Sequence, residues 1–225
     1  MSPPRQIFKF AALSALYFAL LTIPWPGPWS GPAPYLMSAY RWLFRGAGNT
    51  LFVRMGDGGS VALSPLGSAL HESDTTLRVS NSRTGASGSG EIKSIYIGYR
   101  PTAFLAALIL ATPAPWRRRG FAMLWGLLLV GVFVTARTWV RLAVMMSNDD
   151  PLRAYDLSDW TRGLLAGVNG VLVRSPAVGY IVPALIWIIV AIRKEQWAKF
   201  GIRLGSDEED GPPVPPRTNR KTREP

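Results

Sequence analysis

The 225-residue chain contains no cysteine, a single histidine, and 14 acidic side chains against 25 basic ones. Without cysteine there is no disulfide, no thiolate metal site and no cysteine nucleophile. His71 falls in a Ser- and Gly-rich stretch, where a solvated side chain is expected rather than a catalytic base. Asp149, Asp150, Asp156 and Asp159 fit no calcium-loop spacing, because no bidentate Glu closes the pattern. Helix capping and solvated turn charge account for them, so neither a metal nor a cofactor is expected.

What the chain has in excess is apolar character: 48% hydrophobic residues, nine Trp and a positive mean hydropathy. Four apolar segments stand out, Ile7 to Trp25, Pro101 to Trp116, Gly120 to Met146 and Ser175 to Ile192. Crossing the hydrocarbon layer takes roughly 17 to 25 apolar residues in a helix. The third and fourth meet this comfortably, the first carries Lys9 near its start, and the second is short. Thr22-Ile-Pro-Trp-Pro-Gly-Pro-Trp29 places bulky aromatics and prolines where signal-peptide cleavage needs small residues, so the first segment reads as an uncleaved anchor. Trp25, Trp116, Trp139 and Trp197 lie near the ends of the apolar runs, at the level an indole ring prefers.

Basic residues set the orientation. Arg5 and Lys9 precede the first segment, Arg117, Arg118 and Arg119 separate the second from the third, and Arg193, Lys194 and Lys199 follow the fourth. The positive-inside rule places all three clusters in the cytoplasm. Four spans across the bacterial inner membrane, with both termini in the cytoplasm, satisfy them together. The net charge of +11 is concentrated in these flanks and in the tail from Arg217 to Arg223, where anionic lipid is the natural partner. No recognition helix, aromatic-studded sheet or zinc pattern accompanies it, which argues against nucleic acid.

The expected fold is therefore membrane all-α, with about four transmembrane helices and a small mixed α/β extracytoplasmic subdomain. Residues 1–25 form the N-terminal transmembrane helix and 26–100 the subdomain; 101–193 hold three transmembrane helices with an external loop at 147–174. In the subdomain, Leu36, Tyr40, Leu43 and Phe44 recur at helical spacing with Arg41 and Arg45 on another face, as in an interfacial helix. Strand-like runs follow at Leu51 to Met55, Val61 to Leu63, Thr75 to Val79 and Glu91 to Tyr99. Gly56-Asp-Gly-Gly-Ser60 lacks the Gly-Lys-Ser/Thr of a phosphate loop and reads as a hairpin turn. In the external loop, Ser158 or Asp159 caps a helix with Trp160, Leu164, Val168 and Val171 on one face. Residues 194–225 mix an acidic block, a proline run and a basic end, the composition of a disordered cytoplasmic tail.

Two arginines, Arg137 and Arg141, interrupt the end of the longest apolar run. Counted from Arg119 at 1.5 Å per residue, they lie roughly 27 and 33 Å along a helix, at the outer edge of the membrane and on one helix face. Two readings follow. Their stems lie in the apolar layer while the guanidinium groups snorkel to water, or they clamp a carboxylate or phosphate with Tyr99 and Arg100 at the mouth of the second span.

The order Ile97-Gly-Tyr-Arg-Pro-Thr-Ala-Phe104, the Trp-Arg-Arg-Arg119 turn and the long span ending in Thr138-Trp-Val-Arg141 resembles the second half of exosortase and archaeosortase membrane proteins, over roughly Ile95 to Ile192. In that family a Cys-x-Gly opens one span, an Asn-x-x-Arg ends the next and a His follows on a later helix. Its members are proposed to process sorting signals of exported proteins by a thiol mechanism. The resemblance puts Gly98 at the glycine and Arg141 at the arginine, but Tyr96 at the cysteine and Thr138 at the asparagine, and no histidine follows His71. It thus implies a member without nucleophile or base, able to hold a sorting peptide, lipid or glycan intermediate. Ser94, Thr102 and Ser175 have no His, acid or Lys placed to activate them.

The functional expectation is a noncatalytic component of envelope assembly or protein export that binds an anionic ligand. Its partners are membrane lipids and envelope or export proteins. An exosortase-like peptidase or transpeptidase with a substituted site is the alternative. A small transporter subunit is the third, disfavoured because the spans hold no acid and no proline-broken helix pair.

Overall fold

The computed structural model describes residues 3–24, 31–56, 58–66, 74–148, 155 and 157–191. His71, Asp149, Asp150, Asp156, Trp25, Trp197, the basic cluster after the fourth segment and the tail lie outside the described residues.

Helix α1 spans Pro3–Thr22 and α2 spans Ala33–Leu51. Three strands follow, β1 (Gly59–Pro65), β2 (Thr75–Asn81) and β3 (Ser87–Ile92), in an antiparallel meander of order β1-β2-β3. A π-helical turn over Ile95–Tyr99 leads into α3 (Arg100–Ala111), and α4 runs from Trp116 to Asn148. The chain ends its described course with α5 (Asp159–Asn169), a second π-helical turn over Gly170–Arg174, and α6 (Val178–Ala191).

The sheet pairs Val61 with Val79 and Leu63 with Leu77, so β-branched and Leu side chains from alternate positions fill one face. β1 is an edge strand, and α2 covers it: the Asn49 amide donates to the Leu63 carbonyl at 2.9 Å and accepts from the Leu63 N–H at 2.6 Å. A side-chain amide thereby occupies the hydrogen-bonding position of a fourth strand. Gly56 and Gly58 take positive φ, 59° and 81°, and Met55 bridges Gly59, so the glycine-rich segment is a turn into β1. No helix follows it.

Two expected strands take other forms. Leu51 closes α2, and the residues up to Met55 bend back to the isolated bridge instead of adding a strand. Glu91 to Tyr99 divides: β3 ends at Ile92, and Ile95, Ile97 and Tyr99 belong to the π turn. Pro101 explains the change, since its fixed φ and missing N–H suit the first turn of a helix and exclude a central strand.

The helices pack around α3. Leu105, Ile109, Ala122, Val130 and Ile186 form one buried cluster from α3, α4 and α6, and α1 closes it through Phe18 edge-on to Phe104. Gly126 gives α3 its close approach to α4, because a Cβ there would stand 3.1 Å from both Leu105 and Ile109 methyls. The Trp187 indole on α6 donates to the Thr112 hydroxyl at 2.9 Å. A second cluster joins Phe44 of α2, Val61, Leu63, Leu77, Val79 and Ile92 of the sheet, and Val134, Leu142 and Met146 of α4. At 33 residues, α4 is roughly 50 Å long at 1.5 Å per residue, so its first half serves the helical cluster and its second half the sheet. Phe133 packs against both.

Among the described residues α4 is the one helix that is long and apolar enough to cross a membrane, as Trp116–Ser147 with mean hydropathy 1.8. The segment Asp159–Val173 with Val178–Ala191 meets the same measure only as one pair bent by 76°. Outward-facing apolar side chains are abundant on the helices around α3: Phe8 and Leu16 on α1, Phe121, Leu124 and Val132 on α4, Ile181, Leu185 and Ile189 on α6. On α2, Phe44 is buried and Tyr40 half-buried, while Tyr35, Trp42 and Leu43 are exposed. The expected cap of α5 is Ser158, whose hydroxyl accepts from the Thr161 N–H, and Trp160, Leu164 and Val171 are exposed along that segment.

Candidate functional site

The junction of the two clusters on α4 is where Arg137 and Arg141 emerge. Arg137 is 6% exposed. Its guanidinium donates to the Val173 carbonyl of the second π turn at 2.9 Å, while its Nε is buried without a hydrogen-bond partner. α6 and the π turn before it thus enclose the Arg137 side chain. Gly179 of α6 faces the guanidinium, a Cβ there lying at an ordinary contact distance of 3.4 Å from the Arg137 Nη1.

Both arginines face a cavity of about 490 Å³. Its walls come from the end of β3 (Glu91, then Lys93), the first π turn (Tyr96, Ile97), the start of α3 (Arg100, Pro101) and the stretch from Val173 to Tyr180. Arg100 lies over the Tyr96 ring at 4.0 Å from its centroid, and the Lys93 ammonium stands 5.8 Å from the same centroid. Such stacking holds a guanidinium in place without consuming its N–H donors. Among the described residues Arg100, Arg137, Arg141 and Lys93 line the cavity together with the Glu91 carboxylate. Among the described residues no ion pair joins Arg100, Arg137 or Arg141 to an acid.

Of the residues expected to form an anion clamp, the structure brings together Arg100, Arg137 and Arg141. Tyr99 is turned to the opposite side of the helix, where its hydroxyl donates to the Leu21 carbonyl of α1 at 2.5 Å and its ring meets Tyr40 at 5.7 Å. Tyr96 takes its place in the cavity. The wide turn is the cause: i→i+5 hydrogen bonding rotates successive side chains differently from an α-helix, so neighbours judged by α or strand spacing do not share a face. Both π turns line the cavity, one carrying Tyr96 and the other Val173.

The start of α3 is held from outside its own sequence. Asp74, at the threshold of β2, accepts the N–H groups of Ser94 at 3.0 Å and Ile95 at 3.3 Å, and pairs with Arg41 of α2 at 3.4 Å. Its carboxylate supplies a helix N-terminus with acceptors and favourable charge. Beneath the π turn, Gly98 leaves room for the Tyr40 hydroxyl, with which a Cβ would collide. Burial pushes the Tyr40 hydroxyl well above the usual tyrosine range, and it stays neutral, hydrogen-bonded to Thr102.

The positions singled out by the exosortase layout separate in space. Tyr96 and Arg141 line the cavity; Gly98 packs on Tyr40, and the buried Thr138 hydroxyl donates to the Val134 carbonyl of its own helix at 2.8 Å. Ser94 is wholly buried and Thr102 donates to the Gly98 carbonyl at 2.7 Å, so neither faces the cavity. Among the described residues no group of three or more His, Cys, Asp or Glu is arranged to hold a metal ion. The sequence signal for the missed lining, Pro176 to Tyr180, was present only as the start of an apolar segment, and nothing in it points at Arg137. No family model, no curated protein and no solved structure matches the chain.

Proposed function

We propose that the chain is a polytopic inner-membrane protein with both termini in the cytoplasm, acting as a noncatalytic component of cell-envelope assembly or protein export that holds an anionic ligand in the arginine cavity. The observation that carries this reading is Arg137, a buried cation with an unpartnered Nε beside Arg141 and Arg100 and no acid paired with it among the described residues. Burying an uncompensated charge costs several kcal/mol. A bound carboxylate or phosphate supplies the counter-charge and the hydrogen-bond acceptors together.

The membrane assignment is supported by the exposed apolar side chains on the outer faces of α1, α4 and α6, since exposed apolar patches mark protein or membrane contact. It is supported too by Arg117, Arg118 and Arg119 in the first turn of α4, where no acid occurs. Cations at a helix N-terminus oppose the macrodipole; retention on the cytoplasmic side gives them a reason to be there.

Complementation tests the proposal. Replacing Arg137 and Arg141 together by Gln should abolish the cellular phenotype of the gene while the protein stays inserted and at normal abundance. Loss of function that follows loss of protein would make the pair structural. A second reading, an exosortase-like peptidase or transpeptidase, draws support from Tyr96 and Arg141 sharing the cavity. It requires an unprocessed substrate to accumulate in a deletion strain and to persist with Tyr96→Phe.

A further inference from the structure

Asn49 closes the β1 edge of the sheet, whereas β3 forms the other edge and has no comparable partner among the described residues. The Asn81 N–H donates to the Ala86 carbonyl at 2.9 Å, which sets the phase of the ladder between β2 and β3. Carried along the register, the N–H and C=O groups of Gly88 and Gly90 turn toward β2, and those of Ser87, Ser89 and Glu91 turn outward. Among the described residues no hydrogen bond takes up the outward groups. By the rise of a strand, this open edge runs about 13 Å from Ser87 to Glu91. It ends at the arginine cavity, whose wall includes Glu91. We propose that an extended acidic peptide segment pairs along β3 as a fourth strand and sets a carboxylate between Arg137 and Arg141. This rests on the anion-site reading above and names its ligand as polypeptide.

Backbone spacing selects polypeptide. Alternating donors and acceptors at the repeat of a strand are matched by another extended backbone, and not by a lipid or a glycan. Gly88 and Gly90, opposite the buried Val79 and Leu77, leave the inner face of β3 without side chains. A Cβ on Gly90 would meet the Met145 Cε at 3.7 Å, an ordinary contact. An added strand can therefore lay its inward apolar side chains beside these glycines against Met145, a half-buried and flexible side chain that adapts to varied neighbours. Ser87 and Ser89 are exposed and bring neither charge nor proline, the usual guards of an open edge. The cavity selects the acid. Arg100, Arg137 and Arg141 have no ion pair with an acid among the described residues, and Arg137 keeps a buried Nε without a partner. A carboxylate meets a guanidinium fork with two acceptor oxygens.

The full chain in detergent micelles tests this through ligand-induced thermal stabilisation. The probes are a short capped peptide of alternating Thr and Val with Glu at both ends, its counterpart with Gln at both ends, the Glu peptide methylated on every backbone nitrogen, and glutarate as a free carboxylate. Wild type should bind the Glu peptide at least tenfold more tightly than the Gln peptide, the methylated peptide or glutarate. Arg137→Gln with Arg141→Gln should bring the Glu peptide down to the level of the Gln peptide. Ser89→Pro removes an outward N–H and spares the ladder to β2, a position where an edge strand accepts proline. It should weaken the Glu peptide at least tenfold and bind glutarate as wild type does. If Ser89→Pro fails to fold, the methylated peptide makes the same test from the ligand side. A methylated peptide that binds as tightly as its parent, or a folded Ser89→Pro that binds the Glu peptide as wild type does, would overturn strand pairing and leave the anion site standing. Equal binding of the Glu and Gln peptides would overturn the placement of the acid. Wild type binding neither peptide nor glutarate would remove the anion site as well.

Discussion

Asp74→Ala should destabilise the protein by about 3 kcal/mol, within a range of about 2 to 5. The carboxylate accepts two backbone N–H groups, from Ser94 and Ile95, and the Thr75 hydroxyl at 2.9 Å. Ser94 is fully buried, so water does not readily replace the lost acceptor on its N–H. Each buried donor left without an acceptor costs about 1 to 3 kcal/mol. The Arg41 pair adds little, about 1 kcal/mol at most, because that side chain is 40% exposed. Asp74→Asn retains one acceptor oxygen and should lose roughly half as much. Reversible unfolding in mixed micelles, followed by near-ultraviolet circular dichroism, reads both values. An Asp74→Ala loss below about 0.5 kcal/mol, the scale of an ordinary surface change, would refute the assignment of Asp74 as the cap of the first π turn. The same variant should also weaken anion binding, since the turn it anchors carries Tyr96 and leads into Arg100.

Gly98→Ala drives a methyl into the Tyr40 hydroxyl and should cost about 1 to 3 kcal/mol by overpacking; Tyr40→Phe in the same chain should recover part of it, measured as the melting temperature of each variant. Gly179→Ala meets only ordinary contacts and should bind ligand as wild type does, whereas Gly179→Leu fills the space beside Arg137 and should reduce affinity more than tenfold with the fold intact. Because the chain has no cysteine, any introduced thiol is unique: in spheroplasts an impermeant maleimide should label Ser89→Cys directly and Arg117→Cys only after permeabilisation, and the reverse pattern would invert the proposed topology.

The parts of the fold governed by continuous apolar runs and by alternation could be read directly. The run from Gly120 to Met146 lies within α4, and the runs around Val61 and Leu77 lie in β1 and β2. What could not be read was set by tertiary contact. The strand-like alternation of Ile95, Ile97 and Tyr99 yields to a π turn because Pro101 opens a helix and Asp74, some twenty residues earlier, caps it. No local pattern marks that cap. The arginine pair was legible from its four-residue spacing, and Arg100 from its place beside the second apolar segment. Tyr96 rather than Tyr99 lines the cavity because side-chain direction depends on the width of the turn, which sequence spacing does not encode. The burial of Arg137 was hidden for a related reason: depth counted along α4 ignores the Val173 and Gly179 backbone that closes over it.

Native mass spectrometry of the protein extracted in mild detergent tests the central claim most directly. Wild type should carry one retained anionic molecule, and the Arg137→Gln, Arg141→Gln double variant should emerge folded and without it. Equal retention by both proteins, or a wild type that carries no anion while natively folded, would contradict the arginine cavity as a binding site.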